Sequence, residues 1–226
     1  AGPTTRRQHA RRPPHLPPTQ RHHANMITCA IRINDTHWQD WLPALAECHR
    51  LDGFECDAGN FNNQAFVTAL TKDNLHCLHA RDLLPGDSVT ILTHAAEHDA
   101  MGALRRNIFD SMVYAAPAET AVFSLQLRLD RCPEQDLPAQ TLRLASFLQS
   151  LLDAPLDTPY ALAIQVRQPP PFPRSWEWRR ALDLCAAANS SRIGLCLHFH
   201  PDDLIGASGL NPAKLLAEGG ERLQAI

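Results

Sequence analysis

Short apolar segments alternate with longer amphipathic segments along most of the chain, and this alternation limits the possible folds more than any other feature. Strand-like runs begin near residues 27, 53, 75, 121, 160 and 193. The stretches between them have apolar residues at helical spacing, and no hairpin turn joins one run directly to the next. A strand followed by a helix and another strand predicts parallel β-strands joined by crossover helices.

The strand-like runs are nearly continuous in apolar residues, as expected when helices cover both faces of a parallel sheet. Ile27–Ile31, Tyr160–Val166 and Ile193–Phe199 are examples. Two architectures compete, an open doubly wound sheet and a (β/α)8 barrel. An open dinucleotide-binding sheet should carry G-x-G-x-x-G after its first strand, but residues 32–36 read RINDT and no P-loop occurs. The sequence therefore favours the barrel.

The spacing of the strand starts predicts how much of a barrel the chain contains. One strand–helix unit takes roughly 33 residues here, so eight units need about 260 residues. Residues 26–226 have room for six units, and Leu223–Ile226 is typical of the opening of a seventh strand. We therefore expect an incomplete (β/α)8 TIM barrel, a fragment cut inside strand seven. A complete open sheet of six units is the alternative.

Residues 1–25 differ in composition from the rest of the chain. They hold five of the 21 basic residues and none of the 24 acidic ones, so residues 26–226 carry a formal charge of about −8. This tail has almost nothing apolar to bury, and we expect it to be disordered. It lacks the apolar centre of a secretory signal. A basic nucleic-acid arm, a targeting peptide and upstream sequence outside the fold remain open.

The seven cysteines are scattered, form no C-x-x-C pair and lie mostly within apolar runs. That pattern is typical of free thiols in a reducing compartment, and we expect a cytoplasmic protein. No apolar run approaches the roughly 18 residues that a membrane helix needs. The formal net charge of −3 predicts no general affinity for nucleic acid or for an acidic membrane surface.

Polar residues near the strand ends are the candidates for function, because TIM barrels build their active sites at the carboxyl ends of their strands. Side chains on one strand face recur every second residue, but the facing side is open by one residue in each strand. The candidates are Glu55 or Asp57 on strand two, His76 or His79 on strand three, Ser124, Gln126 and Arg128 on strand four, Gln165 and Arg167 on strand five, and Cys196, His198 and His200 on strand six.

Two residue pairs among the candidates suggest specific chemistry. Arg128 and Arg167 could grip a carboxylate or phosphate between two guanidinium groups. Each could instead be a solvated charge at a strand end. His198 and His200 form an H-x-H pair on one strand face, a geometry used for zinc or iron with a third ligand. One buried histidine and one loop histidine would produce the same pattern.

Several short motifs resemble those of the xylose isomerase-like TIM barrels, the superfamily of sugar phosphate isomerases/epimerases and type-two AP endonucleases. Residues 192–200, RIGLCLHFH, are similar to the sixth strand of this family, which typically reads GLCLDTGH. The resemblance extends in order and spacing over residues 27–226. Further similarities cover the second strand (Gly53–Glu55), the helix before strand four (104–108 and 115–122) and the passage from helix six into strand seven (218–226).

The resemblance implies a sugar or sugar-phosphate isomerase or epimerase that uses a divalent metal (Mn, Zn or Mg) for proton transfer next to a carbonyl. The family takes metal ligands from a Glu on strand five, an Asp on strand six, a His on strand seven and an acid on strand eight. Here Gln165 and His198 occupy the first two positions. The implied roles are Gln165 and His198 as metal ligands, Glu55 and His200 as catalytic groups, and Gln126, Arg128 and Arg167 as substrate-binding residues.

Two other functions are compatible with the sequence. The neutral residues at two ligand positions suit a barrel that has lost its metal and binds an anionic sugar or a partner without catalysis. An AP endonuclease-like nuclease is the weaker alternative. Such an enzyme needs several His and carboxylate metal ligands and a basic face for DNA, whereas residues 26–226 are acidic.

Overall fold

The computed structural model describes residues 30–33, 37–48, 50–83, 98–126, 137–165, 175–197, 199 and 211–225. Within these residues, seven strands form one sheet, every neighbouring pair is parallel, and the strand order in space equals the order in sequence. A doubly wound sheet reverses its order at a switch point, whereas a barrel adds each strand beside the previous one. The sheet is therefore a curled, incomplete (β/α)8 barrel, which confirms the predicted fold class.

Strands and helices alternate strictly in the described part of the chain. The strands are β1 (Ala30–Ile33), β2 (Gly53–Asp57), β3 (Cys77–Arg81), β4 (Val122–Gln126), β5 (Ala161–Gln165), β6 (Ile193–Cys196) and β7 (Leu223–Ala225). The α-helices are α1 (Trp38–Glu47), α2 (Gln64–Asp73), α3 (His98–Ala115), α4 (Leu137–Leu151), α5 (Ser175–Ala188) and α6 (Pro212–Gly219). None of these helices is both long and apolar enough to cross a membrane.

Asparagine side chains determine where two of the helices begin. The side chain of Asn63 accepts hydrogen bonds from the backbone N–H groups of Ala65 and Phe66, at 3.0 and 3.4 Å. The side chain of Asn211 accepts from the backbone N–H of Lys214 at 3.0 Å. Each asparagine thus satisfies donors that the first turn of a helix leaves unpaired.

An aromatic cluster packs the first two helices against the sheet. The fully buried ring of Phe66 makes edge-to-face contacts with Trp38, Phe54 and Phe61, at centroid distances of 5.6, 6.3 and 5.7 Å. Phe54 belongs to β2 and Trp38 to α1, so one side chain of α2 joins three elements. Aromatic pairs of this geometry add about 0.5–1.5 kcal/mol each beyond the burial of their area. This packing holds β2 in the position from which it presents polar residues on its other face.

The register between strands determines which polar side chains share a face. Glu55 on β2 pairs with His79 on β3, after a register shift between Phe54 and Glu55. Further along the sheet, Ser124 on β4 lies beside Ala163 on β5, which lies beside Gly194 on β6. Because residues at alternate positions share a face, the polar residues near the carboxyl ends of β2 to β6 lie on one side of the sheet.

Candidate active site

A chain of hydrogen bonds connects Glu55, His79 and Ser124 across β2, β3 and β4. The Nδ1 atom of His79 lies 2.9 Å from Oε2 of Glu55, and its Nε2 atom lies 2.8 Å from Oγ of Ser124. His79 and Ser124 are buried, and the side chain of Glu55 is 20% exposed. The order carboxylate, imidazole and hydroxyl is the order of an acid–base group held in place by an orienting carboxylate.

The carboxylate of Glu55 determines the tautomer of His79. An ionised carboxylate only accepts hydrogen bonds, so Nδ1 of His79 carries a hydrogen and donates it to Oε2. Nε2 then accepts from the Ser124 hydroxyl when the ring is neutral, and donates to it when the ring is protonated. Because a hydroxyl both donates and accepts, His79 can gain or lose a proton at Nε2 while keeping both hydrogen bonds.

Glu55 remains ionised well below neutral pH. Burial alone would raise its pKa, but the hydrogen bond and charge of His79, followed by the charge and hydrogen bond of Arg81, lower the pKa from 4.5 to about 2. Nη1 of Arg81 donates to Oε1 at 3.1 Å, so each carboxylate oxygen has its own donor. Nε of Arg32 lies 4.0 Å from the same Oε1. Glu55 is therefore a weak base, and it stabilises positive charge on its neighbours.

Arg81 places a guanidinium group inside the barrel, with 4% of its side chain exposed. Its Nε is buried and has no hydrogen-bond partner among the described residues. Its Nη2 lies 3.9 Å from Oδ2 of Asp82, which is too long for a hydrogen bond. Asp82 itself has a φ of 54° and a buried Oδ1 that has no partner in the same part of the chain. Backbone strain and unpaired buried polar atoms at a strand end are typical of functional sites.

The carboxyl ends of β4, β5 and β6 add neutral groups to the same face. Gln126 pairs with Gln165, and Gln165 pairs with Cys196. Burial, and to a smaller extent the charge of Glu55, raises the pKa of the Cys196 thiol to about 12. The strand register places these residues on the face of the sheet that carries Ser124. The candidate site therefore lies in the interior of the barrel, at the carboxyl ends of its strands.

The structure shows where the alternative candidates on strands two and three lie. Glu55 and Asp57 lie two residues apart on β2 and share the concave face. His79 faces this side, since it bonds to Glu55 and Ser124. His76 precedes β3, and its Nδ1 lies 3.1 Å from Oε2 of Glu119 in a pair that is about half exposed. Only one of the two histidines is therefore part of the site.

The remaining predicted residues divide into two groups. Gln126 and Gln165 lie at the carboxyl ends of β4 and β5, and their predicted contacts with substrate or metal stay predictions. Arg128, Arg167, His198 and His200 lie outside the described residues, as does the predicted disordered tail 1–25.

Arg81 is a site residue that the sequence patterns do not single out. The third strand-like run, residues 75–80, stops one residue before it. In the structure β3 continues through Arg81, whose charge is balanced by Glu55. One sequence feature indicates Arg81: it follows His79 by two residues, just as Asp57 follows Glu55 on the neighbouring strand.

The described part of the site does not fit a divalent metal ion. Within it, no group of three His, Cys, Asp or Glu side chains is placed to hold one. Both oxygens of Glu55 face N–H donors, and the adjacent Arg81 would repel a second cation. Gln165 provides a neutral amide where the resemblance places a Glu. A metal at this site would therefore need ligands from outside the described residues, where the predicted ligand His198 lies.

Comparisons with solved structures match most of the chain, although no family model and no curated protein matches the sequence. The 3-keto-D-glucoside 4-epimerase YcjR from E. coli has a TM-score of 0.57 and 11% identity, over 89% of this chain and 78% of that chain. The probable 3-DHS dehydratase AsbF from Bacillus anthracis has a TM-score of 0.59 and 11% identity, over 86% of this chain and 70% of that chain. A xylose isomerase domain protein from Alicyclobacillus acidocaldarius has a TM-score of 0.56 and 9% identity, over 87% of this chain and 72% of that chain.

The topology and these matches define the class of protein. It is an α/β barrel of the (β/α)8 type whose polar site lies at the carboxyl ends of its strands. More specifically, the chain has the fold of the xylose isomerase-like TIM barrels, as the motif resemblance predicts. The structural matches establish this fold. Because the sequence identities are only 9–11%, the chemistry must be argued from the residues of the site.

Proposed function

We propose that the protein is a sugar-modifying enzyme, an isomerase or epimerase that moves a proton next to a carbonyl of a sugar or sugar phosphate. The observation that carries this proposal is the Glu55–His79–Ser124 hydrogen-bond chain on the concave face, two residues inside the carboxyl ends of β2, β3 and β4. The matching structures support the same class, since one is named an epimerase and another a probable dehydratase.

In this proposal His79 carries the proton. Neutral Nε2 accepts the proton that leaves the carbon next to the carbonyl, by way of the Ser124 hydroxyl, while the electrons of the C–H bond move to the carbonyl oxygen and an enediolate forms. In an isomerase the same route returns the proton to the neighbouring carbon, whereas an epimerase needs a second proton donor on the opposite face of the enediolate. The imidazolium that forms in between is stabilised by Glu55, which stays ionised because its pKa is about 2. In this proposal, the catalytic role predicted for Glu55 is to orient and stabilise His79.

Metal assistance remains a separate prediction. It assigns Gln165 and His198 as ligands and His200 as a further proton-transfer group, with Arg128 and Arg167 holding an anionic part of the substrate. Metal analysis of the purified full-length protein tests whether Gln165 and His198 bind a metal ion. A stoichiometric dication that is lost in a His198→Ala variant would support it, and its absence would leave a proton-transfer mechanism that rests on His79.

The proposal is tested by hydrogen exchange, which detects proton transfer without knowledge of the product. The full-length protein is incubated in D2O with a panel of aldoses, ketoses and their phosphates, and NMR follows deuterium entry at the carbon next to the carbonyl. We expect exchange with at least one sugar, reduced about 100-fold or more in His79→Gln. His76→Gln is the matched control, because His76 also pairs with a glutamate but lies outside the site.

A second candidate function is a barrel that binds an anionic sugar or a partner without turnover. The neutral amide of Gln165, at the strand-five position where the family carries a Glu, favours it. If this second function is correct, we expect sugars to bind and no deuterium to enter them. Exchange that His76→Gln retains and His79→Gln loses would rule it out, and an absence of exchange with every sugar would contradict the isomerase proposal.

A further inference from the structure

We propose that Arg81 is a positioning residue for the proton-transfer group, because it holds the carboxylate of Glu55 in the orientation that makes Nε2 of His79 the base. This inference rests on the proposed function and deepens it. It assigns a role in the reaction to a buried arginine that acts through Glu55 and His79 and needs no contact with the substrate.

The first support is that two donors from β3 hold the two oxygens of Glu55. Nη1 of Arg81 donates to Oε1 at 3.1 Å, and Nδ1 of His79 donates to Oε2 at 2.9 Å. The last side-chain torsion of a glutamate is otherwise broad, because it joins a tetrahedral carbon to a planar one. A separate donor on each oxygen fixes this torsion. The plane of the carboxylate therefore follows from the positions of Arg81 and His79 on β3.

The second support is that other groups compete for the same carboxylate oxygen. The side chain of Glu55 is 20% exposed, and Nε of Arg32 lies 4.0 Å from Oε1 on a side chain that is 45% exposed. The side chain of Arg81 is only 4% exposed. Solvent and Arg32 thus approach Oε1 from the exposed side, whereas the hydrogen bond from the buried guanidinium group keeps Glu55 within reach of His79.

The third support is that the orientation of Glu55 decides which nitrogen of His79 acts as the base. A neutral imidazole carries one hydrogen, and the nitrogen without it is the acceptor. While Oε2 accepts from Nδ1, Nε2 is the nitrogen that accepts from the Ser124 hydroxyl at 2.8 Å. If the carboxylate turned away, the hydrogen could occupy Nε2, which then could not take a proton. Arg81 therefore acts on the reaction by fixing the tautomer.

Nitrogen NMR of His79 in the isotope-labelled full-length protein tests the inference without any substrate. At a pH at which the ring is neutral, we expect the hydrogen on Nδ1 in the wild type and on both nitrogens in turn in Arg81→Met, which lacks the donor and the charge. Arg81→Lys supplies a donor and a charge again, so it should restore the wild-type tautomer.

Arg192→Met is the matched control. Nε of Arg192 donates to the carbonyl oxygen of Tyr160 at 3.0 Å, and its guanidinium group lies 4.5 Å from the centre of the Tyr160 ring. These two residues precede β6 and β5, so their contact lies at the amino ends of the strands, away from the site. The control should leave the His79 tautomer and the exchange rate unchanged.

A kinetic readout distinguishes positioning from substrate binding. With any sugar that takes up deuterium, Arg81→Met should lower kcat for exchange about tenfold or more, because a displaced base is a poor one. KM should stay within about twofold of the wild-type value, since no substrate contact is removed. Arg81→Lys should recover most of the lost kcat.

A measurement on the wild-type protein does not depend on the folding of any variant. A guanidinium group held at Nη1 gives separate Nη1 and Nη2 hydrogen signals, whereas rotation about its C–N bonds averages them. We expect separate signals for Arg81. Averaged signals, an unchanged His79 tautomer in Arg81→Met, or a raised KM with unchanged kcat would each overturn the inference. The proposed function fails separately, if no sugar exchanges deuterium or if His79→Gln retains the exchange.

Discussion

The two halves of the concave face carry different chemistry. On β2 to β4 the face bears ionised and hydrogen-bonded groups, centred on Glu55, His79 and Arg81. On β5 and β6 the described side chains at the same levels are uncharged, and the Cys196 thiol keeps its proton because its pKa is raised to about 12. The resemblance to xylose isomerase-like barrels places the charged ligands on strands five to eight. In the described residues, the charge lies instead on the first half.

The two halves therefore differ in their side-chain contacts. The first half joins its strands through ion pairs and hydrogen bonds between side chains. Backbones approach closely in both halves, since a Cβ atom placed on Gly194 of β6 would clash with the carbonyl oxygen of Arg222, and one placed on Gly53 of β2 would clash with that of His76. Charge substitutions should therefore disturb the first half in particular, whereas substitutions that add volume test the close packing of β6 against β7.

The largest effect is expected from Glu55→Gln. This change removes the carboxylate that Nη1 of the buried Arg81 contacts, and removing one partner of a buried ion pair costs about 3–5 kcal/mol of unfolding free energy. Glu119→Gln is the matched control, because Glu119 forms an exposed pair with His76 and should change stability by less than about 1 kcal/mol. Urea denaturation measures both. Equal effects would mean that the first half does not depend on its charges.

Acid should weaken the first half through the same group. The pKa of Glu55 is lower in the folded protein, about 2 against 4.5, so its stabilisation is present above pH 4.5 and is lost as the pH falls through 2. The shift corresponds to about 3 kcal/mol. Unfolding free energies measured between pH 5 and 2 should show this loss in the wild type and not in Glu55→Gln. Parallel curves for the two proteins would argue against the ion pair.

Gly194→Ala tests the second half. The added methyl group meets the Arg222 carbonyl and the Gln224 side chain, so the β6–β7 contact must open, and overpacking of this kind costs about 1–3 kcal/mol. Gly59→Ala is the control, because a Cβ atom there has no neighbour within 4 Å. Thermal unfolding compares them. A fully tolerated Gly194→Ala would contradict the close packing of these strands.

The smallest expected effect concerns cysteine reactivity. Cys196 is buried and keeps its proton, so iodoacetamide at pH 8 should leave it unmodified in the native protein. Cys48, which is only half-buried, serves as the reactive reference. Mass spectrometry of tryptic peptides distinguishes the two sites. Rapid alkylation of Cys196 would show that the carboxyl end of β6 is open to solvent.

Much of the fold could be predicted because its signals are local. The strand starts predicted near residues 53, 121, 160 and 193 lie within one residue of the starts of β2, β4, β5 and β6. The helical spacing between the predicted strands corresponds to helices such as α4, and Asn211 at the start of α6 is a typical N-cap residue. Periodicity and capping depend on neighbours within a few residues, so the sequence displays them directly.

The site could be predicted only in part, because its contacts are distant in sequence. Glu55 stood out by its place at a strand end, but its bond to His79 spans 24 residues and the bond from His79 to Ser124 spans 45. The choice between His76 and His79 depends on a register shift between Phe54 and Glu55, which no local pattern reveals. Arg81 was missed because only its distant partner makes a buried charge acceptable.

The amino-acid sequence by itself determined that strands alternate with helices, because this feature follows from the spacing of apolar residues within each segment, and it favoured a barrel over an open sheet. Only the tertiary structure decided which polar side chains meet. The physical reason is that strand register and the curl of the sheet bring Glu55, His79, Arg81 and Ser124 together, and both result from packing between segments that are far apart in the chain.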